Sequence, residues 1–584
     1  MKRIYSIIIL VALIIGISSC TDFLDTQPAD KYDDGAVWND PNLVESFVFN
    51  IYLGIPYPYQ WYMNASFVDE AIPVQWDGIV SRILTSTMSP DDKGVFASNW
   101  GMAMHNWWWN SLYENIRACN LFFSKINDAQ VQSDEYREQL KGEVYFLRGY
   151  FYYLAFVQYG GVPLVDYIFD IGDNYDVPRN TLAQTVDFIV KDLDEAIRLL
   201  KAAGQTDKTR GTEGAALALK SRVLLYAASD LFNSKCSWVS GYSNPELVSY
   251  MDDNRQKRWQ DAKDAAEEVM KLGRYSLYEV DSDPSKNFAD LFLQQNSNEQ
   301  IFITYFDKIA WPPWSTDWIA TICSPARAGG YGLNQVTANL ANAFENRDGT
   351  YFNFEAQKTE PYKDRDPRFY ATLLYDGADW VRLHMRNLPA YTVRPGRWID
   401  ANGVTTAVGT DNHPDINTGY YIRKFIDPNF VHIYFGDSRQ PLPFIQFRYA
   451  EILLNYAEAC IALGEEAEAR TAINTLRKRA GMTEINDTGE ELVKRYRNER
   501  RVELAWEQHR FFDVRRWMIA SQAYGPAKGV EVIYPVAASH DNPLYREIDI
   551  NEGEPRAWRD SHYLIPIGRS EMQRNLALIQ NPGY

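Results

Sequence analysis

Apolar residues recur at helical spacing through most of the middle of this chain. In "SLYENIRACNLFFSKI" (111–126), Leu112, Ile116, Cys119, Phe122 and Phe123 follow at steps of three and four, which predicts one buried helical face. "YREQLKGEVYFLRGYFYYLAFVQYGGVPLV" (136–165) predicts a long helix ending at Gly160-Gly161. Its aromatics point several ways around the axis, so it is expected to be buried nearly all round. "TLAQTVDFIVKDLDEAIRLLKAAG" (181–204) opens on a Thr cap and stops at a glycine. "GTEGAALALKSRVLLYAASDLF" (211–232) carries small residues on one side, which let a second helix come close. "RWQDAKDAAEEVMKLGRYSLY" (258–278) puts Trp259, Ala262, Ala266, Val269 and Met270 on one face, with Gly273 and Tyr275 at its end. "RYAEILLNYAEACIALGEEAEARTAINTLRKRAG" (448–481) reads as two helices broken at Gly464.

In that last pair, Ala alternates with large side chains, as in a tetratricopeptide unit whose helices interlock small against large. The units are unevenly spaced, so the expected fold is mainly α: tetratricopeptide-like helix pairs in one packed layer rather than a regular solenoid. Two loop-rich excursions interrupt the layer, at about 54–108 and about 280–440. The second holds one clear predicted strand, "QIFITYF" (300–306), among stretches rich in Gly, Pro and Asn. Few short strands are expected. Loops this long are unusual unless functional, and the two excursions are expected to meet and form a binding face. The division expected is an N-terminal helical region, 20–235, and a C-terminal region, 236–584.

The first residues set the compartment. Lys2 and Arg3 precede an apolar run from Ile4 to Ile17, too short for a permanent membrane span and suited to a cleaved signal over residues 1–19. Ile17-Ser18-Ser19-Cys20 matches a bacterial lipobox, in which the Cys20 thiol is acylated and becomes the mature N-terminus. An ordinary signal peptide with a chance cysteine is the alternative. Several acyl chains would anchor the chain stably, at about 0.8 kcal/mol per buried methylene.

The formal net charge is −18, or −20 once Lys2 and Arg3 leave with the signal. Without a basic stripe, this balance argues against nucleic-acid binding. Cys119, Cys236, Cys323 and Cys460 lie far apart with no CxxC pair, which argues against structural zinc and against a disulfide framework. HExxH, GxSxG and GxxxxGK[ST] are absent, and no cofactor or metal is expected. "DNHPDIN" (411–417) offers Asp411, Asp415 and Asn417 to calcium, but its spacing is not that of an EF-hand, and a plain loop is the preferred reading.

Several segments together resemble the SusD/RagB family of surface glycan-binding lipoproteins of Bacteroidota. They are the lipobox at Cys20, "WWWNSLYENIRACNLFFSKI" (107–126), "FLRGYFYYLAFVQYGGVPLV" (146–165), "RYAEILLNYAEA" (448–459), "YRNERRVELAWEQHRFFDVRRW" (496–517) and "YLIPIGRSEMQRNLALIQNPGY" (563–584). They cover nearly the whole mature chain in family order. The resemblance implies non-catalytic capture of oligosaccharide at the cell surface. It also implies delivery to a SusC-like, TonB-dependent outer-membrane β-barrel, with a peptide or glycoprotein cargo or a glycoside hydrolase as the alternatives.

The most specific of these motifs reads as scaffold. Arg500 and Glu503, and Arg510 and Asp513, are spaced as helical neighbours, and Val502, Ala505 and Trp506 give an apolar side. Glu499, Glu503 and Glu507 share a face, yet a packed charge network, with guanidinium groups forked onto carboxylates, explains them without a substrate. The closing "NPGY" is expected to dock on the body. The ligand is expected on the loops, where aromatics (14% of the chain) mix with Asn and Asp, the pairing that stacks on sugar rings and meets their hydroxyls. From chemistry and position, the candidates are Trp76, Trp100 and Asn106 in the first excursion. In the second they are Trp311, Trp314, Trp318 and Tyr331, with Pro312 and Pro313 stiffening the tryptophan loop.

Overall fold

The computed structural model describes residues 34–56, 63–74, 78–92, 108–305, 319–382, 389–429, 442–536, 539–550, 553 and 555–584. Its main helices are α1 (Pro41–Tyr52), α2 (Trp109–Lys125), α3 (Asp134–Tyr159), α4 (Leu182–Ala203), α5 (Glu213–Ala228), α6 (Arg255–Lys271), α7 (Tyr449–Leu463), α8 (Glu466–Arg479), α9 (Gly489–Glu503) and α10 (Arg510–Arg516). The longer strands are β1 (Ala71–Pro73), β2 (Gln300–Tyr305), β3 (Asn334–Val336), β4 (Arg397–Ile399), β5 (Thr405–Val408), β6 (Pro443–Arg448), β7 (Lys528–Tyr534) and β8 (Leu544–Asp549). Among the described residues no helix is long and apolar enough to cross a membrane.

Helix boundaries follow the local chemistry. The Thr181 hydroxyl accepts the Gln184 N–H while the Gln184 side chain returns a bond to the Thr181 N–H, and α4 ends at Gly204 in the left-handed region. Gly464, at φ +82°, ends α7 and turns the chain directly into α8. Each helix from α2 to α8 packs on the next. Gly142 and Gly149 let α3 press on α4: a Cβ at either would lie about 3 Å from Leu200 or Leu193. From Val144 to Tyr159, nearly every residue of α3 is buried, as its dispersed aromatics predict. Each such Leu or Phe contributes about 1.5–3 kcal/mol of transfer free energy.

The layer is continuous across the second excursion, because α6 packs on α7 although the whole excursion lies between them in sequence. β2 and β6 close it as an antiparallel stem, with Tyr305 opposite Pro443 and Gln300 opposite Arg448. The expectation of one strand in a largely irregular excursion is too simple. Among the described residues it carries β3, β4, β5 and several two-residue bridges around a core of its own, with Phe344, Phe369, Trp380, Tyr421 and Phe425. β4 pairs in parallel with β7 from near the C-terminus, giving a four-stranded sheet of order β8-β7-β4-β5. Trp398, in a Pro- and Gly-rich stretch, lies in strand β4. Short strands with mixed polarity, completed by a distant partner, leave no period-2 signal.

The Arg-rich motif near the C-terminus is largely buried, and the pairs that its spacing suggests, Arg500 with Glu503 and Arg510 with Asp513, are not the ones that form. The helix stops after Glu503, Trp506 and Gln508 take positive φ, and α10 restarts at Arg510. Arg500 reaches Asp513 (2.9 Å) and Arg510 reaches Asp69 (2.8 Å). Arg448, at the end of β6, donates to Glu299 (2.8 Å), Glu503 (2.7 Å) and Glu507 (2.7 Å). Glu503 also takes Arg368 and Arg479, Glu499 takes Arg368 and Arg477, and Glu507 takes Lys424. Burial alone would raise the Glu503 carboxyl. Arg479, Arg448 and Arg368 instead hold it well below the usual carboxylate range. All three glutamates weighed as catalytic are thus bound to cations inside the protein. The C-terminal tail docks as expected, with Asn581 donating to the Ile565 carbonyl and Tyr584 to that of Leu564. Among the described residues, Cys119, Cys236, Cys323 and Cys460 are free and buried.

Replacing Arg448 with Met leaves three carboxylates facing a missing cation, and is expected to destabilise the fold by about 3–5 kcal/mol. A urea-unfolding midpoint that moves by less than about 1 kcal/mol equivalent would show that the cluster does not hold these segments together.

Candidate functional site

The two excursions meet, as their loop-rich character suggests. β1 of the first pairs antiparallel with β3 of the second, Ala71 opposite Val336 and Pro73 opposite Asn334. The Ser66 hydroxyl donates to Asn334 (2.7 Å), and the Thr337 hydroxyl donates to the Asp69 carbonyl (2.7 Å). Asp69 receives Arg501 and Arg510, which ties this seam to the Arg-rich motif.

Next to the seam lies the one sequence candidate within the described residues, Tyr331. The short helix Ile319–Cys323 leads into a tight loop that returns on itself, with the Tyr331 N–H donating to the Thr321 carbonyl (2.7 Å) and the Gly332 N–H to that of Ser324 (3.0 Å). Gly332 sits at φ +62°, where a Cβ would press on Tyr421. The Tyr331 ring is half-buried against the excursion core. His413 packs on the Tyr331 main chain, and burial keeps its imidazole below the ordinary histidine value. In the same loop, Arg327 lies 4.9 Å over the Tyr391 ring and donates to the Thr410 hydroxyl (3.2 Å). Tyr391 in turn donates to Asp411 (3.3 Å). The loop thus carries a partly buried aromatic ring, with His413 against its main chain and the Arg327 guanidinium over neighbouring Tyr391, so that apolar and hydrogen-bonding groups lie in one small region.

Trp76, Trp100, Asn106, Trp311, Trp314 and Trp318 lie outside the described residues, as does Cys20. The chain that borders several of them is informative. The described chain resumes after 306–318 at Ile319, two residues before the Tyr331 partner Thr321. It pauses before 75–77 at Val74, whose N–H donates to Leu333 (2.7 Å). Met63, which follows 57–62, places its sulfur 3.8 Å from that of Cys323. The borders of 93–107 lie elsewhere: Asp92 pairs with Arg82, and Trp109 packs edge-on against Tyr159 at the end of α3.

Arg327, Tyr391 and His413 were not singled out from sequence. The "DNHPDIN" stretch was, but for calcium. Its Asp411 is buried, and its oxygens accept from Tyr391, Thr410 and the Arg394 N–H (2.8 Å). Asn417 bonds Pro395 and Gly419, while Asp415 stays exposed. Among the described residues no group of three or more His, Cys, Asp or Glu side chains is placed to hold a metal ion. Apart from the excursions, a groove of about 1150 Å³ runs along α3 to α6, with Tyr145, Phe188, Tyr250, Asp187 and Lys191 in its walls.

With this architecture in view, the comparisons are consistent. A family model described as the SusD family matches residues 292–584, half of the chain, and the protein belongs to that family. A second, described as starch-binding and associating with the outer membrane, matches residues 22–225, and outer-membrane association is accordingly where this chain is placed. The SusD-like protein P38 of Formosa agariphila is 22% identical over 582 residues, covering 92% of this chain and 97% of its own. A SusD-like protein of Bacteroides fragilis with a crystal structure superposes at TM-score 0.74 with 28% identity, over 95% of this chain and 99% of its own. A SusD-like carbohydrate-binding protein from the same species gives 0.69 with 21% identity, over 93% and 100%.

Glu70, on the seam, accepts the Trp506 N–H (3.3 Å), and burial pushes its carboxyl up to about 7, with Arg501 opposing and neighbouring Asp69 adding to the rise. The folded state therefore holds a proton that the unfolded chain releases above about 4.3, and this group favours unfolding increasingly as pH rises from there to about 7. Glu70→Gln removes that dependence. Relative to wild type, the variant is expected to gain stability steadily between pH 4.5 and 7 and no further above. A pH-independent difference in urea midpoints would contradict the assignment.

Proposed function

We propose that this protein captures oligosaccharide outside the outer membrane, leaves its bonds intact, and delivers it to a SusC-like, TonB-dependent β-barrel. The observation that carries this reading is the partly buried Tyr331 in the loop that holds Arg327, with His413 on its main chain, beside Val74 and Ile319, the described residues next in sequence to the segments of Trp76 and of Trp311, Trp314 and Trp318. Trp100 and Asn106 are proposed as further contacts from the first excursion, although the described borders of their segment lie away from Tyr331. Membership of the SusD family, and the carbohydrate-binding description of one superposing relative, support a glycan as the cargo. The lipobox at Cys20 supports a lipid anchor, and delivery to a barrel rests on the family resemblance.

A binder needs a platform and no acid–base pair. In the Arg-rich motif, Glu499, Glu503 and Glu507 already serve buried cations, and at the Tyr331 face Asp411 is buried and hydrogen-bonded. Both facts favour binding over glycoside hydrolysis.

Titrating the mature protein with a panel of oligosaccharides, read by tryptophan fluorescence, is expected to show weak saturable binding. Tyr331→Ala should weaken it about 5-fold, for a stacking contribution of about 1 kcal/mol. The oligosaccharides should keep their length on prolonged incubation. Shortened products would overturn the non-catalytic reading, and saturation by peptides alone would replace sugar with peptide cargo. Cys20→Ala should abolish acyl labelling and move the protein from the membrane fraction to the soluble one; unchanged membrane retention would refute the anchor.

A further inference from the structure

Between α3 and α4 the chain makes an excursion that places apolar side chains in water. Residues 163–165 are pinned: Tyr113 donates to the Pro163 carbonyl (2.7 Å), and Asn120 and Tyr152 donate to that of Val165 (2.8 and 3.0 Å). Beyond them Tyr167 and Tyr175 are about half exposed, and Ile171, at the tip, is fully exposed. The segment keeps a defined shape nonetheless. Phe169 sits edge-to-face on Tyr167 (5.0 Å) and against Tyr175 (5.2 Å), and the Tyr175 hydroxyl donates to the Asp170 carbonyl (3.0 Å). The C-terminal tail joins the same surface. Asn575 donates to the Val177 carbonyl (2.8 Å), the Leu576 N–H donates to the Asp176 carboxylate (2.6 Å), and Arg179 holds the Ile579 carbonyl (2.8 Å). Leu576 (77% exposed) and Ile579 thereby extend the apolar face.

Four exposed aspartates lie along this stretch of chain, Asp166, Asp170, Asp173 and Asp176, the first of them also lining the groove along α3 to α6. No Lys or Arg among the described residues forms an ion pair with them; Asp173 and Asp176 accept main-chain N–H groups of Asp170 and Leu576 instead. Contiguous exposed apolar surface on a folded chain marks an interaction site. The acids select among occupants. They repel an anionic lipid surface, which a membrane-binding patch would meet with Lys and Arg. They also repel a second copy of the same patch across a two-fold axis.

We propose that this face docks a partner protein whose apolar pocket is rimmed by Lys and Arg. Ile171 is the central anchor, Tyr167, Tyr175 and Leu576 surround it, and the four aspartates set orientation and association rate. The aromatic ladder and the loop hydrogen bonds fix the surface beforehand, so little order is lost on docking. The surface shares no residue with the Tyr331 face, and the inference stands apart from the glycan reading.

The test is photocrosslinking of the full-length chain in the cells that produce it. p-Benzoylphenylalanine replaces Ile171, and, as a control, the exposed Val280 elsewhere on the surface. The partner is identified from the adduct, purified and titrated against the wild type, Ile171→Ser and Asp166→Lys/Asp170→Lys. One dominant protein adduct is expected at 171 and none at 280. Each variant should weaken the dissociation constant at least 10-fold, and raised salt should slow association. Oligosaccharide affinity should be unchanged, which separates failure of this proposal from failure of the glycan reading. Adducts only to lipid, to a second copy or to nothing would overturn the proposal. So would a partner whose affinity ignores the aspartates, or oligosaccharide binding lost with Ile171→Ser.

Discussion

Arg448 sits where the parts of this protein converge. It ends the strand that closes the second excursion, and it binds Glu299 before the opening strand, Glu503 at the end of α9, and Glu507 in the turn that follows. Arg368 and Lys424 bring in the excursion through Glu499, Glu503 and Glu507, and Arg477 and Arg479 bring in α8. Charges taken this far from water are tolerated only when every partner is in place. The network therefore works as a lock on arrangement more than as a source of net stability: no segment can be displaced without leaving a bare charge inside.

The helical layer relies on this device less, with the isolated buried pairs Arg148–Asp192 between α3 and α4 and Arg222–Glu451 between α5 and α7. It is held mainly by volume complementarity, with the glycines of α3 admitting the leucines of α4 and the small residues of α5 admitting its neighbours. This difference explains how a long excursion can be inserted between α6 and α7. The layer closes by itself through contacts of apolar faces, and the inserted chain is then fixed by directional bonds to the Arg-rich motif. Asp69, bound by Arg501 and Arg510, extends the same logic to the first excursion.

The proposed binding face depends on this join. Tyr331, Arg327, Tyr391 and His413 come together because β1 pairs with β3 and because Asp411 is used internally to close its loop. In the proposed reading, such a fixed loop cluster suits weak and broad recognition of sugar rings. The apolar loop around Ile171 is a different kind of surface, shaped by its own aromatic ladder and accompanied by aspartates that form no ion pair among the described residues.

Local rules determined the helices, their caps and their breaks. The Thr181 capping box, the stop at Gly204, the break at Gly464 and the all-round burial of α3 follow from residues within a few positions of one another, so sequence alone revealed them. The scaffold role of the Arg-rich motif was legible for the same reason: that many guanidinium and carboxylate groups beside Trp and Phe must pair. Which groups pair was not. Arg500 chooses Asp513, Arg510 chooses Asp69, and Glu503 takes three arginines from distant segments, because the chain turns sharply after Glu503. The four-stranded sheet, the seam of the excursions and the neighbours of Tyr331 were likewise decided only in three dimensions. Each depends on partners far apart in sequence, and no local pattern encodes which distant partner will arrive.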